Sequence, residues 1–181
     1  LPLDAPEVSA AIERVQKRTD ALLNCGGTHR PEWFHRKLGD ILYEGCGVAR
    51  DEAGLLDALT KVRELREEFW RDVKVVGTGN RLNQELEKAG RVADFIELGE
   101  VMILDALDRR ESAGAHFRNE YATEAGEAKR NDGDWCAVSA WETRPDGTKV
   151  RHSEPLSFSL IDLQVRDCLL YTSPSPRDVE E

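Results

Sequence analysis

Between Leu82 and Leu107 apolar residues recur at every third or fourth position: Leu82, Leu86, Ala89, Val92, Ala93, Ile96, Ile103, Leu104 and Leu107. That spacing places them on one side of a helix but scatters them over both faces of a strand, so the segment is predicted to be helical. With Asn80 as its N-cap the helix runs for about thirty residues, or roughly 45 Å at ~1.5 Å per residue. One such helix cannot bury its own stripe, and partners must lie against it. Three upstream stretches repeat the period. Val8, Ala11, Ile12, Val15, Leu22 and Leu23 mark a helix from Pro6 to about Leu23. Pro31 opens a second helix at its first turn, with Phe34, Leu38, Ile41, Leu42 and Val48 inside until Gly47 weakens it. Asp51 is the expected N-cap of a third, striped by Leu55, Leu59, Val62, Leu65, Phe69 and Val73. The breaks, Asn24-Cys25-Gly26-Gly27 and Val76-Gly77-Thr78-Gly79, are short, and short connections favour antiparallel neighbours.

The pattern changes after Arg118. Residues 119–134 are polar, and Trp135, Ala137, Ser139, Trp141 and Thr143 then alternate with Cys136, Val138 and Ala140, the period of a strand. Arg144-Pro145-Asp146-Gly147 suits a type I turn, returning the chain through Val150 and His152 to a stop at Pro155. A further strand is expected from Leu156, Phe158 and Leu160, changing face near Leu160 toward Ile161, Leu163 and Val165. The fold class is therefore mainly α: an antiparallel helical bundle of about four helices followed by a small antiparallel β segment. The expected organisation is a helical domain over 1–118, a loop plus β segment over 119–166, and a tail over 167–181. The stretch from about Asp167 onward reads like translated adapter sequence and is set aside as non-native.

Twenty-five basic against thirty-five acidic residues give a net charge of −10, a field that repels phosphate backbones and anionic lipid surfaces. No nucleic-acid partner is expected. No run of about eighteen apolar residues occurs, so direct membrane insertion is not expected either. Cys25, Cys46, Cys136 and Cys168 are far apart without a CxxC pair, which suits reduced, buried thiols better than a zinc site. The chain starts at Leu1 and its only methionine is Met102, which reads as a piece of something longer.

Two stretches invite a chemical reading. Val75-Val76-Gly77-Thr78-Gly79-Asn80-Arg81-Leu82 resembles the start of a dinucleotide loop, but the residues before it have helical spacing and Leu82 occupies the third glycine position. A plain helix-to-helix turn is the expected outcome. His29, His35 and His152 stand apart from other ligand types at any metal spacing. The second stretch is RRESAGAHFR at 109–118. Arg109 and Arg110 suit the last turn of the long helix, where cations oppose the negative dipole end, and Gly114 suits a left-handed helix cap. Glu111 is opposed by that dipole and needs a cation, for which Arg118 or an arginine outside the chain is the expected source. His116 is expected to make a structural hydrogen bond.

RRESAGAHFR, Phe34-His35-Arg36-Lys37-Leu38-Gly39, LREEFWRDVKV at 65–75, LNQELEKAGRVADFIELGEVMILDAL at 82–107, WCAVSAWE at 135–142 and EPLSF at 154–158 together resemble one family. They look like the C-terminal part of the flavoprotein subunit of succinate dehydrogenase/fumarate reductase, in its actinobacterial-like, menaquinone-linked branch. The similarity runs from about Val8 to Arg166. Ala113 departs from the arginine or cysteine common in relatives, leaving Glu111, Gly114, His116 and Arg118 as the retained structural motif. The resemblance implies a parent oxidoreductase that moves hydride equivalents between succinate and covalently bound FAD and passes electrons through an iron–sulfur subunit to quinone. It also implies membrane anchor subunits and a peripheral, cytoplasmic position on the inner face of the cell membrane. The flavin-binding domain and catalytic groups of that family lie upstream, so no catalytic, cofactor-binding or metal residue is assigned here, and the chain alone is expected to bind no FAD and to be inactive. L-aspartate oxidase and adenylylsulfate reductase are alternatives, against which the β segment argues. A stand-alone helical interaction module is a third.

Overall fold

The computed structural model describes residue 2 and residues 4–160. Four long helices dominate: α1 (Pro6–Asn24), α2 (Pro31–Gly45), α3 (Glu52–Asp72) and α4 (Gln84–Asp108), with a two-residue strand β1 (Ala49–Arg50) between α2 and α3. After α4 come β2 (Phe117–Arg118), a single 3₁₀ turn at Asn119–Tyr121, the one-turn helix α5 (Asp132–Trp135), and the strands β3 (Ala137–Thr143) and β4 (Lys149–Pro155). The expected class, a mainly helical bundle with a small antiparallel sheet, is the observed one.

Side-chain pairs fix the directions of the helices. Arg63 and Arg66 of α3 reach Glu100 and Glu97 of α4 in reversed order, so those helices are antiparallel. Glu32 and His35 of α2 meet Lys88 and Phe95 of α4 in the same order, so α2 runs parallel to α4. The core lies among α2, α3 and α4: Phe34, Leu38, Leu55, Ala58, Val62, Leu65, Phe69, Val73, Val92, Ile96 and Ile103 are buried, and Phe34 and Phe69 meet edge to face at 5.2 Å. α3 thus buries the whole stripe that specified it, and α2 and α4 most of theirs. α1 is the exception. Of its stripe only Leu22 is buried, while Ile12 and Val15 remain exposed, because α1 packs chiefly on α4, where Arg18 ties it to Asp94 and the Gly90 carbonyl.

The α1–α2 turn is stitched to the end of α3. The N–H groups of Gly27 and His29 donate to the carbonyls of Val73 and Asp72, and Lys74 N–H returns to the His29 carbonyl. Gly27 is obligatory on steric grounds: a Cβ there would lie 1.9 Å from the Asp72 carbonyl oxygen. Thr28 and His29 both bond the Asp72 carboxylate. Hydrogen bonds from these groups, His29 first, hold the Asp72 pKa down to about 2.

Several boundaries differ from expectation. α2 stops at Gly45 and Val48 is exposed, because the chain leaves the helix to form β1. Asn80 does not cap α4. It lies in the preceding turn, and Asn83 accepts from Leu86 N–H instead, leaving Leu82 92% exposed and α4 25 residues long. Asp51 does cap α3, accepting from Gly54 N–H at 2.8 Å. Trp135 belongs to α5 rather than to a strand. β3 and β4 pair antiparallel with Thr143 opposite Lys149, and the turn between them places Gly147 at φ +85°. Leu156–Leu160 form no strand, and the continuation expected at Ile161, Leu163 and Val165, like the tail over 167–181, lies outside the described residues.

Candidate functional site

The segment 109–118 packs where the C-terminal end of α4 meets the N-terminal end of α3. α4 ends at Asp108, with Arg109 as its C-cap. Gly114 is not that cap. Five residues beyond Arg109, with φ +58°, it sits in a tight reversal in which Ala113 and His116 exchange backbone hydrogen bonds of 2.8 and 3.1 Å. A positive φ at the first central residue of such a reversal is why glycine stands there.

Glu111, Ser112, His116 and Arg118 are all buried, which is unusual for polar groups unless they are paired. The partner of Glu111 is Arg109, not Arg118. Arg109 donates through Nε at 2.9 Å and through its terminal nitrogen at 2.6 Å to one carboxylate oxygen, while Asn131 N–H reaches the other at 2.8 Å. The carboxylate that the helix dipole disfavours is thereby neutralised by the helix's own capping residue and ties in the downstream loop.

Arg118, 2% exposed, turns the other way. Its guanidinium donates to the Ala106 and Leu107 carbonyls at 2.8 and 3.3 Å, two of the acceptors that a helix C-terminus leaves unpaired. Its Nε also donates to Glu120 Oε2 at 3.1 Å, and Glu120 Oε1 accepts the Glu52 N–H that opens α3 at 2.6 Å. A cation therefore sits at the negative end of one helix and its counter-anion at the positive end of the next, each in the favourable sense. Burial raises the Glu120 pKa, but the Glu52 N–H and Arg118 outweigh it and hold the carboxyl below its usual range. The backbone of Arg118 is fixed by Ser112, whose hydroxyl accepts its N–H at 2.8 Å and donates to its carbonyl at 3.1 Å.

His116 Nε2 lies 3.0 Å from the Arg109 carbonyl, and its Nδ1 lies 3.5 Å from an Arg50 nitrogen. A carbonyl only accepts and a guanidinium only donates, so the ring is the neutral Nε2–H tautomer. Burial pushes its pKa below the ordinary histidine value, and the nearby cations Arg50, Arg109 and Arg118 push the same way against the Arg109 hydrogen bond. Arg50 arrives because β1 pairs in parallel with β2, Arg50 opposite Arg118.

Sequence reasoning thus singled out Glu111, Gly114, His116 and Arg118 but missed Ser112 as a backbone clamp, Glu120 as the acceptor of the first N–H of α3, and Arg50. Glu120 carried a weak signal, an acid two residues after a cation next to a predicted helix start; Arg50 carried none. A second buried acid, Glu100, lies about two turns before the end of α4. Burial raises its pKa, but Arg63 and Arg66 more than offset that and hold it down.

The arrangement is saturated. Arg109, Glu111, His116 and Arg118 are each engaged in holding a helix end, a turn or a loop, while Arg110, expected in the last turn of α4, lies beyond its end and is exposed. No dinucleotide cradle is built either: the loop at Val75–Leu82 joins α3 to α4 without a preceding strand, and Gly79 is taken up against Leu23. The residues of that loop do not fit a dinucleotide's phosphates.

The family model described as fumarate reductase flavoprotein C-terminal region matches residues 35–173, most of the chain. The chain belongs to that family. The succinate dehydrogenase flavoprotein subunit of Bacillus subtilis is 25% identical over 169 residues, 93% of this chain and 26% of the relative. The fumarate reductase flavoprotein subunit of Haemophilus influenzae is 28% identical over 114 residues, 63% of this chain and 19% of the relative. The chain therefore spans about a quarter or less of the curated relatives it matches. Among solved structures, a mutant of the Escherichia coli quinol fumarate reductase aligns with a TM-score of 0.73 at 24% identity, covering 86% of this chain and 26% of that one. The adenylylsulfate reductase of Archaeoglobus fulgidus shares the fold at a TM-score of 0.65 and 17% identity, again over 86% of this chain and 26% of that one. Among the described residues no helix is long and apolar enough to cross a membrane.

Proposed function

We propose that this chain is the C-terminal structural domain of an FAD-dependent succinate dehydrogenase/fumarate reductase flavoprotein, and that it carries no catalytic residue of its own. The observation behind this is the saturation of the motif: Glu111, His116 and Arg118 are spent on helix ends and turns, and none faces an open pocket shaped for a dicarboxylate. Gly114 belongs to the same structural set. The domain layout is a helical unit over 1–118 and a loop with a β segment over 119–166, with 167–181 a non-native tail. FAD and the reacting groups belong to an upstream domain, with an iron–sulfur subunit, membrane anchor subunits and quinone completing the path. The complex then lies on the cytoplasmic face of the membrane through those partners.

The apolar groove between α2 and α4, lined by Leu38, Leu42, Phe95, Leu98 and Met102, is the face we assign to contact with the flavin domain. Phe95, Leu98 and Met102 fall at a three- and four-residue spacing on α4 yet remain exposed. Purified alone, the chain is expected to be colourless, to reduce no dye with succinate, and to self-associate. A yellow, succinate-oxidising preparation of these residues overturns the reading. In a full-length subunit, Leu98→Glu is expected to lower flavin content while Leu56→Glu, exposed on α3, leaves it unchanged. The shared fold with adenylylsulfate reductase keeps a second substrate class in view. Reduction of the full-length flavoprotein by succinate, and not by sulfite with AMP or by aspartate, separates the readings.

A further inference from the structure

The β3–β4 hairpin lies against α4, yet none of its residues is buried. What attaches it is a row of three carboxylates on one side of α4. Trp141 Nε1 donates to Asp105 at 2.8 Å, Arg151 pairs with Asp108 at 2.7 Å and Lys149 pairs with Glu97 at 2.8 Å. Trp141 stands opposite Arg151 in the sheet register, and Lys149 lies two residues from Arg151, so all three project from the same face. On either side of the Trp141 indole the seam is open, with cavities of 390 Å³ toward Val101 and Arg109 and 560 Å³ toward Leu104 and Asp108. The root of the hairpin is secured differently: Ser112 N–H donates to the Lys129 carbonyl and Asn131 N–H to the buried Glu111.

We propose that β3–β4 is a charge-latched strap that detaches from α4 as a unit, pivoting beyond Asn131, while the helical bundle stays folded. An element none of whose apolar side chains is fully buried opens at a free energy below that of global unfolding. Once free, a two-stranded hairpin is marginally stable, so its own ladder frays as well. The carboxylates of Glu97 and Asp108 keep 47% and 43% of their surface in solvent while Lys149 and Arg151 keep 7% and 27%, so salt screens both latches in part, that of Arg151 more than that of Lys149. The bundle core, held by apolar burial, is not weakened by salt. Detachment bares the indole of Trp141 together with Val101 and Leu104, giving a surface whose exposure depends on ionic conditions or on a competing basic segment. The inference does not depend on the redox chemistry proposed above.

Native-state hydrogen exchange on the 181-residue chain tests it. Amides of residues 137–143 and 149–154 are expected to exchange at least about tenfold faster than those of residues 96–106, as befits a low-stability unit. Raising salt from about 0.03 M to 1 M shrinks the screening length to about 3 Å and is expected to speed the hairpin alone by about threefold to tenfold. Lys149→Gln with Arg151→Gln is expected to reproduce that acceleration at low salt and to abolish the salt response. Asp108→Asn, made from the helix side, is expected to give part of it. Hairpin and α4 amides that exchange at one common rate overturn the proposal. So does a hairpin that opens fast but ignores both salt and the double substitution, or an α4 that accelerates along with it.

Discussion

Replacing Arg118 by methionine keeps most of the side-chain volume and deletes three donor contacts, to Ala106, Leu107 and Glu120. The two helix carbonyls matter most, because Ala106 is buried and water has no ready access to its oxygen. Hydrogen bonds from a charged group contribute about 1.5–3 kcal/mol each, and an orphaned buried acceptor costs about 1–3 kcal/mol. The Glu120 carboxylate is 38% exposed, so solvent screens that pair and it adds no more than about 1 kcal/mol. A loss of about 3–5 kcal/mol is expected, a large share of the ~5–15 kcal/mol typical of a folded domain. The assay is urea unfolding at low micromolar protein, followed by helical circular dichroism. The midpoint should fall with little change in slope, since the surface exposed on unfolding is almost the same. Glu120→Gln, which retains an acceptor for Glu52 N–H, should lose only about 0.5–1.5 kcal/mol, and the double variant should show coupling of about 0.5–1 kcal/mol. If Arg118→Met costs less than about 1 kcal/mol at unchanged slope, the claim that this guanidinium terminates α4 is wrong.

Gly27→Ala puts a methyl group into the Asp72 backbone and is expected to destabilise by about 1–3 kcal/mol or more, read from the same urea midpoint. Glu100→Gln leaves Arg63 without a counter-charge and Arg66 with Glu97 alone, but both reach solvent, so a loss of about 1–2 kcal/mol is expected rather than the full value for a buried pair. Acid should weaken the fold in two ranges. His116 titrates below the ordinary value of 6.5 when folded, so stability is whole above pH 6.5 and falls as pH drops below it, and His116→Gln should flatten that part of a stability–pH profile. Asp72, held at about 2 against an ordinary 3.8, contributes stability above pH 3.8 that is lost as pH falls toward 2, and Asp72→Asn should remove that step.

Periodicity was enough to place the helices, because a 3.6-residue stripe has one geometric meaning over twenty residues. Leu55, Leu59, Val62, Leu65, Phe69 and Val73 are all buried as their spacing requires. Ends were less legible. Asn80 and Asn83 are equally good caps by residue type, and the choice fell to Asn83 because its amide also donates to the Val76 and Thr78 carbonyls and so closes the preceding turn. In RRESAGAHFR a cluster of opposed charges at a helix end was readable, but its burial and its pairing were not. Glu111 was expected to take Arg118 or an arginine outside the chain, but local chain geometry gave it Arg109, leaving Arg118 free to reach the end of α4.

The order of apolar and polar residues by itself determined four amphipathic helices, a hairpin and a motif rich in opposed charges, since each of these depends on neighbours within a few positions. Only the tertiary structure decided that α1 keeps part of its stripe exposed, that Arg50 and Glu120 join the cluster, and that the hairpin hangs on Glu97, Asp105 and Asp108. Those contacts join residues tens of positions apart. Their partners are selected by the packing of whole helices, a quantity no local pattern encodes.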